Sequence, residues 1–301
     1  MPTFTALSTA TIARRAADLP HLGGRNLLET ATTIAWRSTG SLSSGADITE
    51  AGYPGARAGD GRAAEHTRPS TTAATHYLCI DLGAVRTYDM VGVFGLALVS
   101  GVLGTVSLEA ADNAAYTSGL TTLASTTGPF YVGTSTAVTR IVEWVLDGSA
   151  QSVAARYLRL RIDYVSAGRA VVGEVYAGSR LALPYRATSP VDPTERPELA
   201  EGDNWESDTG RLARVAAPRG RLGGTIGWSL DLGDEAAALT WARDVAWGRY
   251  AGIYAPRPLS EPSTVALVRF DALSLTERVY GARDLDVEMT EQAPTLAREG
   301  L

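Results

Sequence analysis

Residues Tyr77–Leu96 read YLCIDLGAVRTYDMVGVFGL. Leu78, Ile80 and Leu82 alternate with Cys79 and Asp81, Gly83 interrupts, and Met90–Phe94 resumes an apolar, β-branched run. A period of two sends one set of side chains to a buried face, so the stretch predicts strand, turn, strand. Two later segments echo it. In Arg156–Ile162, RYLRLRI, Tyr157, Arg159 and Arg161 oppose Leu158, Leu160 and Ile162, and the charged face is expected to look at water. Val171–Gly178, VVGEVYAG, closes the series.

Outward from these, Val102–Ala111 alternates and Thr134–Leu146 is β-rich, with turn chemistry at Asp112-Asn113 and Asp147-Gly148. Upstream, Asn26–Trp36 predicts a strand leading into the same domain. Residues 37–75 are polar and lack periodicity, and so long a loop inside a compact domain is commonly functional or mobile. Residues 1–25 look like an arm, broken at Pro20 and Gly23-Gly24, that packs on its own domain or docks on a neighbouring subunit.

Asp81-Leu82-Gly83, Val106–Asp112, Arg156-Tyr157-Leu158-Arg159 and Gly173-Glu174-Val175-Tyr176, taken in this order, resemble the discoidin, or coagulation-factor type C, family of galactose-binding-like jelly rolls. The resemblance spans about Asn26 to Gly178 and implies a domain over 26–180 whose ligand-facing loops fall in segments such as 37–75. Ligand sites in that family lie in variable loops, so no ligand residue carries over by position. In and beside the polar loop, Trp36, Tyr53, Arg57, His66 and Arg68 are the types that stack on a sugar ring or bond its hydroxyls, and they are the expected contacts. A solvated or subunit-facing loop is the alternative.

After Gly178 the composition changes. Pro184, Pro190, Pro193 and Pro197 with interspersed acids mark 181–204 as an extended linker. A second domain, also a β-sandwich and carrying one helix, is expected over 205–301. It holds strands at Leu212–Val215, Thr225–Leu232, Gly252–Tyr254, Val265–Phe270, Leu273–Val279 and Arg283–Met289, with a hairpin tip at Tyr280-Gly281. One helix is expected over 235–247: Asp234 can cap it, Gly248 can end it, and Ala238, Leu239, Ala242, Val245 and Ala246 recur at spacings of three and four. The order of strand, alanine-rich helix and VRFDALSLTERVYGARDLDVEMTE resembles the tail-assembly proteins of long-tailed bacteriophages, especially the distal tail class at the baseplate. That resemblance implies copies joined in a ring, a hexamer among the sizes open to it. The ring would meet neighbouring tail-tube, hub or receptor-binding proteins at the virion tail tip after assembly in the host cytoplasm. Trp228, Trp241 and Trp247 are the aromatics expected to anchor a subunit interface, or else to fill the core.

The totals agree with an all-β protein. At 301 residues and 45% hydrophobic, with 31 glycines, the chain holds two ordinary cores. Net charge is −6, and all 27 basic residues are arginines, dispersed among acids, which excludes a phosphate-tracking stripe and disfavours nucleic acid. One cysteine, Cys79, excludes an internal disulfide and reads as a small strand residue; His21, His66 and His76 share no ligand spacing, so no metal is expected. No run approaches the ~20 apolar residues that span a bilayer, and the N-terminus lacks a signal-type apolar run, so a soluble chain without membrane insertion is expected. There is no G-x-S-x-G, Walker loop or H-E-x-x-H, and the glycine turns at 101–104 and 220–224 precede no helix. We therefore expect no catalytic residue, no cofactor and no enzyme. Two functions remain: a structural component of a phage tail tip that forms or decorates a ring, or a carbohydrate-binding module for a host surface saccharide.

Overall fold

The computed structural model describes residues 20–62, 65–130, 144–145, 153–183, 204–206, 212–214, 223–230, 234–245, 251–255, 266–277 and 283–291. Strand β1 (His21–Gly23) precedes a 3-10 turn at Leu27–Thr30, and β2 (Thr33–Arg37) follows. The single strand expected over Asn26–Trp36 thus begins as a turn, because Asn26 Oδ1 accepts the Leu28 N–H at 3.2 Å and bends the chain there. The alternating stretch forms β3 (Ala73–Tyr88) and β4 (Met90–Phe94). β5 (Ala97–Ala111), β6 (Thr121–Phe130), β7 (Trp144–Val145), β8 (Val153–Val171), β9 (Glu174–Gly178) and β10 (Arg180–Ala182) come next. Of the strand expected over 134–146, only β7 lies among the described residues.

Five strands in the order β2-β3-β8-β5-β6 form one antiparallel sheet, and β7-β4-β9 form another. Register explains the core. Leu78 stands opposite Leu160 and Ile80 opposite Leu158, so the apolar sets of β3 and β8 share a face. They pack against Val91 and Val93 of β4 and Val175 and Ala177 of β9 in one buried cluster. This is a β-sandwich of jelly-roll type.

The outer face of the larger sheet is not open to water as expected. Arg159 is only 9% exposed. Its guanidinium bonds Glu109 Oε2 at 2.7 Å and the Gly40 carbonyl at 2.8 Å, beneath the rings of Tyr77 and Tyr116. Tyr116 donates its hydroxyl to the Leu158 carbonyl at 2.6 Å and with Cys79, Ala111 and Leu42 forms a small second core over this face. Cys79 is a buried strand residue, and burial pushes its thiol up to about 12.

The second domain contains a short hairpin of β11 (Asn204–Glu206) and β12 (Leu212–Arg214), then β13 (Gly223–Leu230), helix α1 (Glu235–Asp244), β14 (Ala251–Ala255), β15 (Ala266–Glu277) and β16 (Arg283–Glu291). Its sheet runs β10-β1-β14-β15-β16-β13. His21 pairs with Ala182 and Gly23 with Arg180, while Leu22 pairs with Tyr254. The jelly roll is therefore inserted into the second domain, entered through β1 and left through β10. His21–Gly23 are part of a sheet rather than an arm, and Arg180–Ala182 part of a sheet rather than the end of one domain and the start of a linker. Three-residue strands are too short for periodicity to reveal. Residues 1–19 and 184–203 lie outside the described set.

Helix α1 buries Ala238, Trp241 and Ala242 against Leu22, Phe270 and Trp228, and Trp241 Nε1–H donates to the Gly23 carbonyl at 3.0 Å. Trp228 and Trp241, 1% and 4% exposed, fill this chain's own core and present no surface to a neighbouring copy. Trp247 lies outside the described residues, as do Ala246 and Gly248. Asp234 has helical backbone angles and makes no side-chain cap bond, so the expected cap is absent. β15 runs through the expected break between two strands; the break is a bulge, where the register shifts between Phe270 and Ala272. No helix among the described residues is long and apolar enough to cross a membrane.

Candidate functional site

Four of the five expected contact residues converge, but on one another. Tyr53 stacks with His66, ring centroids 4.8 Å apart, and the Arg68 guanidinium lies 3.7 Å from the Tyr53 centroid with that of Arg57 at 5.7 Å. Arg68 grips Glu50 with two bonds of 2.7 and 2.8 Å, and Arg169 of β8 reaches the same carboxylate at 3.3 Å. The Arg68 bond holds the Glu50 carboxyl below its ordinary value. Stacking on a sugar needs an uncovered ring face, and this ring is covered by its own loop. The cluster ties the loop to the sandwich.

Trp36 is wholly buried, and its Nε1–H donates to Thr67 Oγ1 at 3.0 Å. It stands opposite Leu78 on the core face of β2, out of reach of any ligand.

The same loop does build a concavity, with other residues. A second 3-10 turn, Gly55–Gly59, lies so close on β2 that a β-carbon at Gly55 would stand 1.8 Å from the Ile34 carbonyl oxygen; only glycine fits. Beyond it Gly61 takes φ +75°, and Asp60 Oδ1 accepts the Arg62 N–H at 2.9 Å. This turn, the Leu27–Thr30 turn and the start of β2 form one wall of a cleft of about 670 Å³, and Ala251 of β14 and Arg269 of β15 form the other. The cleft is a seam between jelly roll and second sheet.

Beside the cleft lies Glu174, wholly buried in β9. Its carboxyl accepts from Asn26 Nδ2 at 2.6 Å and from the Gly61 N–H at 3.2 Å, linking the cleft turn to the sandwich. Burial pushes this carboxyl well above its ordinary 4.5, and burial likewise raises Glu29 and Asp60. A carboxyl raised on folding contributes stability that is complete below its unfolded value and lost as pH rises through the folded one. Wild-type melting temperature is therefore expected to fall between about pH 5 and 8 by more than in Glu174→Gln, the difference being read by calorimetry. Equal slopes would show that Glu174 is ionised in the fold. Asp244, at the end of α1, accepts from the Arg25 N–H at 2.8 Å and Ser179 Oγ at 3.3 Å, gripping both chain segments that join the domains.

Chemically, the cleft offers carboxylates, guanidiniums and the Thr32 hydroxyl above an apolar floor of Leu28, Ala31 and Ile34. Among the described residues no group of three histidine, cysteine or acidic side chains is placed to hold a metal. The polar loop supplies Ala56, Gly59, Asp60, Gly61 and Arg62, none of them among the expected contacts, and Ala251 and Arg269 come from strands of the second sheet, far along the chain from that loop.

No family model and no curated protein matches the chain. Among solved structures it is similar to chitosan-binding module 1 of a chitosanase/glucanase from Paenibacillus sp. IK-5, at 15% identity over 50% of this chain and 97% of that one, TM-score 0.36. Module 2 of the same enzyme, in complex with chitotriose, gives 21% identity, 51% and 99% coverage and a TM-score of 0.33. The family 32 carbohydrate-binding module of NanJ from C. perfringens, in complex with galactose, gives 16%, 52%, 98% and 0.33. Likenesses this slight leave the functional reading to the chain's own residues.

Proposed function

We propose that the protein acts by binding, not catalysis, and that its inserted jelly roll recognises a surface saccharide in the seam cleft. The cleft's make-up carries this reading. A sugar presents an apolar C–H face inside a rim of hydroxyls; Leu28, Ala31 and Ile34 suit the face, and Glu29, Asp60, Arg62 and Arg269 supply acceptors and donors for the rim. Its volume suits one or two sugar rings. Ala56 lines the cleft and is exposed, so a larger side chain there obstructs the site without entering a core. In a glycan-binding screen of the full chain, Ala56→Trp is expected to weaken binding about tenfold or more, and Tyr53→Ala to leave it within about threefold. Binding that survives Ala56→Trp but vanishes in Tyr53→Ala would return the site to the Tyr53 cluster.

The insertion favours a second, compatible role. A sheet that carries a whole sandwich between two paired strands suits a scaffold that displays a recognition module. On this reading the second domain assembles as a ring in a bacteriophage tail tip, alongside tail-tube, hub or receptor-binding proteins. A chain begun at Leu183 lacks β1 and β10, so imaging must use the full chain. Closed rings by negative-stain microscopy support the role; a monomer, alone and with tail proteins, counts against it.

A further inference from the structure

The two walls of the seam cleft belong to different domains, and their spacing is set beside it. Met90 and Phe94 of β4 and Tyr176 of β9 turn away from the sandwich core and pack against Ile253, Ala255 and Leu267 of the second sheet in one buried apolar cluster. Gly92 lies midway between Met90 and Phe94 on the same face of β4, opposite Tyr176, and its missing side chain leaves a socket there. Ile253 fills it. A β-carbon on Gly92 would stand 3.4 Å from Ile253 Cδ1 and 3.0 Å from Phe94 Cε2. Gly92 is not one of the glycines with positive φ, so the close approach, and not the backbone, calls for glycine here.

Socket and cleft share their strands. Ala251, two residues before Ile253 and so on the same face of β14, lines the cleft and also belongs to the apolar cluster. A β-carbon on Gly61, in the opposite lip, would stand 3.3 Å from the Ala251 β-carbon, so the two walls meet there. Ala251 pairs with Arg269 and Ile253 with Leu267, so on β15 too the cleft residue and the seam residue are two positions apart. Two strand residues span about 7 Å. Paired strands move as rigid pieces over so short a distance, and a shift of Ile253 in its socket therefore moves Ala251 and Arg269 against the lip. We infer that Ile253, seated in the Gly92 socket, is a positioning residue for the cleft: it sets the gap between the jelly-roll lip and the wall formed by Ala251 and Arg269. This rests on the saccharide reading above, because a sugar held by both walls binds tightest at one spacing. By reciprocity its occupancy holds the seam at that spacing, so recognition at the jelly roll is passed to the second sheet.

Ile253→Val removes Cδ1, the atom that reaches the socket, and Gly92→Ala adds a methyl from the other side; together they exchange one methyl across the seam. Ligand-observed NMR titration of the full chain with D-galactose, D-glucose and N-acetyl-D-glucosamine reads the cycle, and urea denaturation shows that each variant is folded. For the sugar that wild type binds tightest, each single change is expected to weaken binding about fivefold, and the double to return it to within about twofold of wild type. Ile226→Val makes the same deletion in the core shared with α1, away from the seam. It is expected to lower the urea midpoint and leave binding within about twofold. Binding within twofold of wild type in both single variants, an equal loss in Ile226→Val, or losses that add in the double instead of cancelling would each overturn the inference while the saccharide reading stands. Binding of none of the three sugars by wild type overturns both.

Discussion

Replacing Trp36 with alanine is expected to destabilise the jelly roll by about 4 kcal/mol, a loss typical of a wholly buried tryptophan. The indole is among the largest buried side chains, set in the core that joins both sheets. Its Nε1–H bond to Thr67 Oγ1 also holds the hydroxyl that donates to the Tyr53 carbonyl at 3.0 Å, so the change leaves a cavity and loosens the polar loop at once. Trp36→Phe keeps most of the volume and isolates the hydrogen-bond part, about 1–2 kcal/mol. Urea denaturation reads both. A Trp36→Ala protein of unchanged stability that fails to bind saccharide would restore Trp36 as a ligand contact.

Arg159→Met carries the second large effect. Glu109 is 5% exposed and would be left in a covered site without its ion-pair partner, which costs about 3–5 kcal/mol. Changing both residues to methionine removes the stranded carboxyl along with the pair, and most of the loss is expected to return. The double-mutant cycle separates this from packing, since the Arg159 stem also lies against Tyr77 and Tyr116. A single-mutant loss below about 1 kcal/mol would mean that water reaches Glu109 and the covering loops lie open.

These two residues show where sequence reading reaches and stops. Alternation placed Arg159 on the outer face of β8 correctly, but a period of two reports a face, not what covers it; Gly40 and Tyr116, from distant loops, close over it. Trp36 was legible as a strand residue. Its inward direction depends on pairing with Leu78 across 42 positions, which no local pattern states. The helix was legible because Ala238, Ala242 and Val245 of the expected face are buried; Leu239, expected with them, is only half-buried, and Trp241, expected at an interface, fills the face instead. The insertion was not, since β1 and β10 hold only three residues each. The cleft was half legible: the polar loop supplies Asp60, Gly61 and Arg62, whereas Ala251 and Arg269 arrive through the fold of the second sheet.

On the reading proposed above, a saccharide binds in the seam between the two domains. A crystal structure of the full chain grown with the tightest ligand from the glycan screen tests it most directly. Ligand density is expected between the Gly55–Arg62 turn and the Ala251 and Arg269 wall, with Asp60 in contact. Density at the Tyr53 cluster or on the outer face of the larger sheet, with the seam empty, would contradict it.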